Sequence, residues 1–425
     1  MLVEFNVTNF KSIRSKQTFS MTKAKGDELE ESNSFQSEGA TPLNLLRSAA
    51  IYGPNASGKS NFIEAMSAMK RIVEDSATEL RRGDKLPVDP FRLDPEMRES
   101  ATEFEVVFIS KGTRYQYGFA ATQERIVEEW MIAFPKGRAQ NWFSRFWIGK
   151  ENEYDWEMGS SLSGKKQLWR EATRSNALFL STAVQLNSEQ LQPVYDWFSD
   201  TLRTTTVTAW SPGFTAGLCC KDSENKKRVL NLLKAADLDI KDISVKKKLF
   251  DESDLSDDLP KEAKSRILER MKGKEIIDEL YMLHEDSEGN LIAFDFEEES
   301  DGTQKLFSFA GPWLDVLKNG YVLFVDELHD NLHPKIVQFL VDLFHSSETN
   351  TSNAQLVFTT HETTILNQNI FRRDQIWFCE KGKDHATTVY PLTDFSPRKV
   401  RENLELSYLA GRYGAVPYIR MMESA

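Results

Sequence analysis

Cysteine is scarce in this sequence: the 425 residues include only Cys219, Cys220 and Cys379. Such a set gives neither an even number for disulfides nor the spacing of a metal site, which is typical of a reducing compartment. No uncharged apolar run reaches the ~18 residues that a membrane helix needs, and the N-terminus lacks the basic and apolar regions of a secretory leader. The sequence therefore predicts a soluble, cytoplasmic protein without a membrane partner.

Positive charge is also in short supply. Lys and Arg number 53 against 65 Asp and Glu, which gives a formal net charge of −12. A protein that coats nucleic acid is strongly basic, so this balance restricts any DNA contact to a local basic patch. Hydrophobic residues make up 40% and aromatics 11%, as in a globular chain of one large or two ordinary domains.

One short segment carries the strongest motif of the chain. Residues 49–65, AAIYGPNASGKSNFIEA, begin as an apolar strand, break into a glycine-rich loop and continue with helical spacing. In such a loop backbone N–H groups and a helix N-terminus face a polyphosphate. The loop residues are Gly53, Pro54, Asn55, Ala56, Ser57, Gly58, Lys59, Ser60 and Asn61. We predict that they bind ATP, with Lys59 on the β- and γ-phosphates and the Ser60 hydroxyl on Mg²⁺.

Two later strands end in residues that complete such a site. The apolar run 321–325 is followed by Asp326 and Glu327, and the run 355–359 shortly precedes His361. The carboxyl ends of neighbouring parallel strands meet at one edge of an open α/β sheet, where ligands bind. We therefore predict that Asp326 holds Mg²⁺ and that Glu327 orients or deprotonates the attacking water. His361 is predicted to reach the γ-phosphate.

A second anion site is predicted upstream, at ESDGTQ. Ser300 and Gly302 stand at the start of a helix, where free N–H groups and the positive dipole end attract an anion. One chain does not need two such sites for one phosphate. The economical interpretation is that Ser300 and Gly302 close on the γ-phosphate bound by another subunit, so that ATP joins a homodimer or a higher homo-oligomer.

The order of these motifs resembles the ABC-type ATPase heads of the SMC, RecF and OLD group. The strings ESDGTQKLF, DELHDNLHP, QLVFTTHETTIL and YLAGRYGAVP resemble more closely the bacterial AAA/ABC-like ATP-binding proteins of the RloA type, found in phage-defence loci. The resemblance covers residues 1–130 and 286–425. It implies that GPNASGKS is the Walker A motif, SDGTQ the signature, VLFVDE the Walker B motif and His361 the switch histidine.

Two departures from the family pattern concern the trigger of hydrolysis. Asp301 stands where the usual signature has a second glycine, and Gln116 is a weak match to the glutamine of a Q-loop. Asp330 would belong to the loop after Walker B that crosses the dimer interface. The residue that links ATP binding to hydrolysis is therefore not assigned from the sequence.

The resemblance implies an α/β fold of the ABC-type ATPase head, with a RecA-like sheet core and a β-rich lobe, to which the charged, helix-biased middle of the sequence adds a helix-rich insertion. An N-terminal head lobe is predicted at 1–130, the insertion at 131–285 and a C-terminal head lobe at 286–425. Charge clusters such as Lys246–Lys248 are interpreted as solvated helix faces, because both signs alternate there. Strands are predicted at 2–10, 103–133, 290–296, 321–325 and 355–359, and helices at 62–80, 304–317 and 335–345.

The resemblance implies that the ATPase is an anti-phage defence sensor that controls a separate effector protein, a Toprim-type nuclease. Only 64 residues follow His361, too few for a Toprim domain, so cutting is assigned to another chain. DNA or a phage component is a further partner that this role allows. Two alternatives stay open: a RecF- or SMC-like DNA-binding ATPase of DNA repair, and a slowly hydrolysing ATP-bound scaffold.

Three further patterns in the sequence are compatible with other functions. Asp326–His329 also spells a DExH box, but SDGTQ has no role in a helicase. His329 and His333 have the spacing of a zinc site, yet Pro334 follows at once and favours a new helix over a continuous one. The aromatic and glycine-rich stretch 408–417 is interpreted as a packed tail, with a docking surface for the effector as the alternative.

Overall fold

The structure, a computed structural model, describes residues 1–149, 153–206, 210–255, 259–397 and 402–417. The chain divides into two compact units. The first unit comprises Met1–Val207, Val316–Asp330 and Val337–Ala425, and the second comprises Thr208–Asp315 and Asn331–Ile336. Each unit is described separately.

The described residues form strands and helices close to those predicted around the motifs. The strands are β1 Leu2–Thr8, β2 Gln17–Ser20, β3 Ser34–Gln36, β4 Asn44–Leu46, β5 Ser48–Tyr52, β6 Thr102–Ser110, β7 Thr113–Ala121, β8 Ile126–Phe134, β9 Gln140–Trp147, β10 Tyr154–Met158, β11 Leu202–Thr206, β12 Asp242–Leu249, β13 Glu275–Glu285, β14 Leu291–Asp295, β15 Val322–Asp326, β16 Gln355–Thr359, β17 Ile376–Lys381 and β18 Thr387–Pro391. The helices are α1 Glu30–Asn33, α2 Lys59–Asp75, α3 Pro95–Glu99, α4 Lys166–Ala172, α5 Phe179–Gln185, α6 Gln192–Asp196, α7 Pro212–Lys221, α8 Ser223–Ala235, α9 Lys261–Met271, α10 Asp301–Asn319, α11 Pro334–His345 and α12 Leu404–Leu409. Within the described ranges, no helix has the length and apolar character that crossing a bilayer requires.

The first unit contains a large antiparallel sheet. Its seven strands follow the order β10-β9-β8-β7-β6-β1-β2, and every neighbouring pair is antiparallel. Lys111 and Gly112 form the turn between β6 and β7 with φ angles of 49° and 72°. Left-handed residues at both turn positions match the twist of a tight hairpin. This sheet is the predicted β-rich lobe.

A second, mainly parallel sheet forms the core of the same unit. Its strand order is β11-β15-β16-β5-β17-β18, and only the β17–β18 pair is antiparallel. All residues of β5 and β16 are buried, as are the first four of β15. Continuous buried runs are typical of central parallel strands. The α/β class and the predicted sheet core with a β-rich lobe are confirmed.

Helix α2 joins the two sheets of the first unit through one hydrophobic cluster. Its buried residues Phe62, Met66, Met69 and Val73 are spaced to share one helix face. The Phe62 ring lies 5.6 Å from the rings of both Phe5 in β1 and Phe19 in β2, and the same cluster includes side chains of β5 and β15. The start of α2 is therefore fixed relative to both sheets.

A buried ion pair ties the antiparallel sheet to α5. Glu129 of β8 and Arg145 of β9 are cross-strand neighbours, fully buried and 2.8 Å apart. The Glu129 carboxylate also accepts hydrogen bonds from Phe179 N at 2.7 Å, Leu180 N at 3.0 Å and the Tyr117 hydroxyl at 3.1 Å. A buried carboxylate with this many donors is well compensated for its lost hydration.

The second unit combines helices with the antiparallel sheet β12-β13-β14. Helices α7 and α10 approach closely, because a Cβ on Gly311 would lie 2.6 Å from the Thr215 hydroxyl. That hydroxyl accepts a hydrogen bond from Gly311 N at 3.0 Å. The Trp210 ring packs at 4.7 Å from Phe309 and 5.8 Å from Trp313, both on α10. The middle of α10 is thereby anchored within this unit.

The units divide the chain at other positions than the sequence suggested. The predicted boundary at 130 falls inside β8, and β9 and β10 extend the same sheet. The second unit starts at Thr208 and runs to Asp315, so it includes the first part of the predicted lobe 286–425. The boundaries of the two units follow from which strands pair with each other. Local composition does not reveal this pairing, and the sequence therefore suggested other boundaries.

Lys246–Lys248 do not lie on a helix, so that interpretation was wrong. They belong to β12, and their charges face carboxylates of the neighbouring strand. Lys246 Nζ lies 2.5 Å from Glu279 and Lys248 Nζ 2.9 Å from Asp278. Alternating charge on an exposed strand gives the same composition as a solvated helix face, so composition alone does not distinguish the two.

The Glu129–Arg145 pair yields a stability prediction. Arg145→Met leaves the Glu129 carboxylate buried without its counter-ion, so we expect the free energy of unfolding to fall by about 3–5 kcal/mol. The matched control is Arg92→Ala, because Arg92 pairs with Asp89 at the surface with 78% of its side chain exposed, and its loss is worth less than about 1 kcal/mol. Denaturant unfolding measures both, and equal effects would contradict the assigned role of the buried pair.

Candidate nucleotide-binding site

The phosphate loop connects β5 to α2 and lies against β17 and β18. A Cβ on Gly53 would lie 2.1 Å from Cys379 O, and a Cβ on Gly58 would lie 2.1 Å from the Thr387 hydroxyl. Gly58 also has a φ of 108°, in the left-handed region that favours glycine. The two glycines of the motif are therefore required by the packing of the loop, and β17 and β18 hold its shape.

The first turn of α2 presents the predicted anion site. The N–H groups of Lys59, Ser60 and Asn61 have no intrahelical partner, because the helix begins at Lys59 and the first turn of any helix leaves its donors open. Ser60 is exposed. Just before the helix, the Thr387 hydroxyl donates to Ser57 O at 2.7 Å. A fixed loop and an open first turn together form a phosphate-binding geometry.

Lys59 turns its amino group back onto the loop. Nζ donates to Gly53 O at 2.8 Å and Pro54 O at 3.1 Å, and it lies 3.1 Å from His361 Nε2. Burial lowers the pKa of Lys59 below its ordinary value, and nearby groups, among them Asp326 and Glu327, offset this only in part. Two carbonyl oxygens and a ring nitrogen are three acceptors, which matches the three protons of an ammonium group.

The structure places His361 beside the phosphate loop, with Nε2 3.1 Å from Lys59 Nζ. Burial, with the Lys59 charge as the next cause, lowers its pKa to about 4, so the ring is neutral at pH 7. Its Nε2 then accepts the hydrogen bond from Lys59 and its proton resides on Nδ1. The His329 ring packs edge-on at 5.3 Å, and burial lowers the His329 pKa as well.

Asp326 and Glu327 end β15 and begin the following turn. Asp326 Oδ1 accepts a hydrogen bond from the Thr359 hydroxyl at 2.6 Å, and Glu327 N donates to the same hydroxyl at 2.7 Å. Glu327 is exposed and has a φ of 57°. The predicted metal ligand and the predicted base are therefore held by one threonine of the adjacent strand.

The donor set at this edge suits a hard divalent cation. Ser60 offers a hydroxyl oxygen and Asp326 a carboxylate, which are the ligand types that Mg²⁺ prefers. A zinc site is not formed by the histidines, because no group of three or more His, Cys, Asp or Glu side chains among the described residues could hold a metal ion. His329 packs on His361 instead, and His333 belongs to the second unit.

An open cleft of about 920 Å³ adjoins the loop, lined by Gly53–Ser57, His361 and part of the stretch 408–417. Two tyrosines of that stretch are packed, since the Tyr408 and Tyr413 rings stack on Phe378 at 5.4 and 5.5 Å. A cleft of this size is in the range of small-molecule sites. The C-terminal stretch thus forms one wall of the cleft.

Ser300 and Gly302 lie in the second unit, at the start of α10. The Ser300 hydroxyl accepts a hydrogen bond from Thr303 N at 3.2 Å, which is the geometry of a helix cap. A Cβ added to Gly302 would approach only the Ser300 hydroxyl, at 3.9 Å. The predicted signature therefore forms an open helix N-terminus, with Asp301 in its first turn.

Gln116 does not contact the phosphate loop in this structure. It lies in β7, and its Nε2 donates to Glu105 Oε2 at 2.9 Å across the antiparallel sheet. Sequence reasoning did not single out Thr359 and Thr387, and it considered His329 only for a DExH box and a zinc site. Each of the three acts through a contact between distant parts of the chain, which local sequence patterns do not report.

Comparison with solved structures finds several ATPase heads with low similarity. An SMC head domain from Thermotoga maritima matches with a TM-score of 0.40 and 11% identity, over 92% of this chain and 98% of that chain. An SMC head bound to the C-winged helix domain of ScpA gives 0.37 and 12%, over 92% and 97%. RecF with ATP gives 0.30 and 14%, over 85% and 93%. The fold is assigned from the strand order of this chain, because these scores are low.

No curated protein sequence matches the chain. A protein-family model matches residues 48–367, which include the phosphate loop, the Asp326–Glu327 pair and His361. The match spans 320 of the 425 residues, and the chain therefore belongs to the family described as "AAA domain, putative AbiEii toxin, Type IV TA system".

Proposed function

We propose that the chain is a Mg²⁺-dependent ATPase that hydrolyses ATP between two copies of itself. The observation that carries this proposal is the meeting of three motifs at the carboxyl ends of β15, β16 and β5. Lys59 lies 3.1 Å from His361, and the strand that leads to His361 also holds Asp326 through its last residue, Thr359. These are the groups that bind a polyphosphate, prepare a water molecule and respond to the γ-phosphate.

Binding of ATP would replace the present contacts of Lys59. The amino group exchanges the carbonyl oxygens of Gly53 and Pro54 for phosphate oxygens, which are charged acceptors and give stronger hydrogen bonds. The open N–H groups at the start of α2 bind the same phosphates. Ser60 and Asp326 would hold Mg²⁺, which when bound neutralises part of the phosphate charge.

Hydrolysis is an in-line displacement with Glu327 as the base. The oxygen of a water molecule bonds to the γ-phosphorus, the bond to the β–γ bridging oxygen breaks, and the leaving electron pair stays on ADP. Glu327 takes the proton of the attacking water. Neutral His361 contacts the γ-phosphate without adding a second cation beside Lys59.

The second half of the site would come from another copy of the chain. Ser300 and Gly302 form an open helix N-terminus at the start of α10, and such an end attracts an anion. We place it on the γ-phosphate bound by the partner, which makes the active form a homodimer or a higher homo-oligomer. ATP binding then favours association and hydrolysis favours release.

The proposed biological role is a cytoplasmic anti-phage defence sensor that controls a separate Toprim-type nuclease. Support comes from the resemblance of strings such as DELHDNLHP to the RloA-type proteins and from the family description, which names a toxin–antitoxin system. The trigger would be DNA or another phage component. The competing candidate is a DNA-binding ATPase of DNA repair, which rests on the resemblance of the motif order to the RecF and SMC heads.

The phosphate loop yields the first test of this function. Lys59→Ala removes the only charged group of the loop, so we expect the dissociation constant of ATP to rise by at least about 30-fold. Arg71→Ala is the control, because Arg71 is exposed on the same helix, about three turns beyond Lys59, and its charge acts on Asp75. Binding of a fluorescent ATP analogue measures both, and tight binding by Lys59→Ala would show that the loop is assigned wrongly.

Replacement of the base gives the second test. We expect Glu327→Gln to bind ATP and to lower turnover by about 100-fold or more, a size typical of a general base. It should also accumulate as an ATP-bound oligomer in light scattering after size exclusion. Glu348→Gln, an exposed residue of the same unit, is the control. Wild-type turnover by Glu327→Gln would mean that another residue is the base.

DNA dependence separates the defence role from the repair role. For the defence ATPase we expect duplex DNA to change wild-type turnover by less than about two-fold at any salt concentration. A repair clamp needs phosphate contacts, so its turnover would rise with DNA and the stimulation would disappear at high salt. Steady-state ATP turnover over a salt series distinguishes the two, and no turnover under any condition would leave the scaffold as the better candidate.

A further inference from the structure

One buried hydroxyl connects the two acidic residues of the site. Thr359 is the last residue of β16, and its side chain is fully buried. Its Oγ1 donates to Asp326 Oδ1 at 2.6 Å and accepts from Glu327 N at 2.7 Å. A hydroxyl has one proton and two lone pairs, so this pattern fixes the direction of the proton toward Asp326.

The backbone at Glu327 needs such support. Its φ of 57° is left-handed, a conformation that costs free energy for every residue with a Cβ. The Thr359 hydroxyl binds the N–H of this residue, and Thr359 O accepts the next N–H, that of Leu328, at 3.1 Å. Two consecutive amides are thereby held to one residue, and the turn carries the Glu327 side chain outward, where it is exposed.

The same hydroxyl orients the carboxylate of Asp326. The backbone pairing of β15 with β16 ends at Val325 and Phe358, so the side-chain bond continues the contact between the strands by one residue. With Oδ1 held by Thr359, rotation of the carboxylate is restricted. The surrounding strand is apolar, LVF before Thr359, and valine would fill the same volume. The Thr359 hydroxyl therefore contributes its hydrogen bonds to Asp326 and Glu327, which an apolar side chain of the same shape would not provide.

We propose that Thr359 is a positioning residue for ATP hydrolysis: its hydroxyl sets the Asp326 carboxylate and the Glu327 turn in the geometry that the reaction uses. The inference rests on the proposed ATPase function. Thr359 itself touches neither the substrate nor the reacting water. Its loss therefore acts on the chemical step more than on nucleotide binding.

The decisive variant is Thr359→Val, which keeps the shape and removes the hydroxyl. We expect kcat to fall by about 10- to 100-fold. This is the rate change that corresponds to the free energy of one hydrogen bond to a charged group. The dissociation constant of ATP should change by less than about three-fold, because Lys59 and the start of α2 are untouched. Thr359→Ser keeps the hydroxyl and should restore kcat to within about five-fold of the wild type.

The neighbouring threonine is the matched control. Thr360 is also fully buried, but its hydroxyl accepts from Glu362 N at 2.9 Å and contacts neither acidic residue. Thr360→Val should keep kcat within about three-fold of the wild type. An equal loss in both valine variants would show a general effect of buried hydroxyls on this strand and would overturn the positioning role.

A double-variant cycle separates positioning from stability. Thr359→Val should cause a smaller loss of turnover in the Glu327→Gln background than in the wild type, because the part of its effect that acts through the Glu327 carboxylate is already absent. A full additional loss would overturn the positioning of Glu327 by Thr359. Should circular dichroism show that Thr359→Val does not fold, Thr359→Ala replaces it, and turnover by Thr359→Ala equal to that of Thr359→Ser would also overturn it. If the wild-type protein does not hydrolyse ATP, the proposed ATPase function is wrong. If Thr359→Val hydrolyses ATP as fast as the wild type, only the positioning role of Thr359 is wrong.

Discussion

Parallel hydrogen bonding of β5 to β16, and of β16 to β15, is the constraint on which the whole site depends. It sets side by side the strand that enters the phosphate loop, the strand that leads to His361 and the strand that ends in Asp326. Side chains alternate along a strand, so a slip of one residue in β16 would turn Thr359 away from Asp326. The register of the sheet therefore determines which side chains meet at this edge. The register is in turn fixed by the burial of the strands, because a shift would misplace their buried side chains.

Charge balance explains how the buried amino group of Lys59 is accommodated and why a phosphate would suit it. Lys59 loses hydration on burial, and the loop carbonyls and His361 replace it with three acceptors. None of these acceptors is charged, so a phosphate is a better partner for the same amino group. Asp326 and Glu327 would repel the polyphosphate, which is the physical reason that a divalent cation belongs in the proposed reaction. Burial is the main cause of the low pKa of His361, and the neighbouring charge of Lys59 lowers it further, because a second cation beside Lys59 is unfavourable.

Local motifs made part of this site predictable. The phosphate loop is a strand, a turn and a helix in sequence, and short-range rules suffice for it. The Asp326–Glu327 pair could be predicted because a buried strand precedes it. The role of Thr359 could not be predicted, because a threonine at the end of a strand is not distinctive until the neighbouring strand, here the one that ends in Asp326, is known. Lys246–Lys248 and the strands after residue 130 were misjudged for a related reason, since exposed strands and exposed helices share a charged composition and only long-range pairing separates them.

The site is assembled from segments that are distant along the chain, and this limits what the phosphate loop can do alone. Gly53 packs on Cys379 and Gly58 on Thr387, more than 300 positions later in the sequence. A peptide with the loop sequence lacks these supports and would pay the full conformational entropy of ordering its glycines. The helix that follows is fixed by Phe62 against the N-terminal strands. Nucleotide binding is therefore a property of the complete first unit, and its affinity should follow the stability of both sheets.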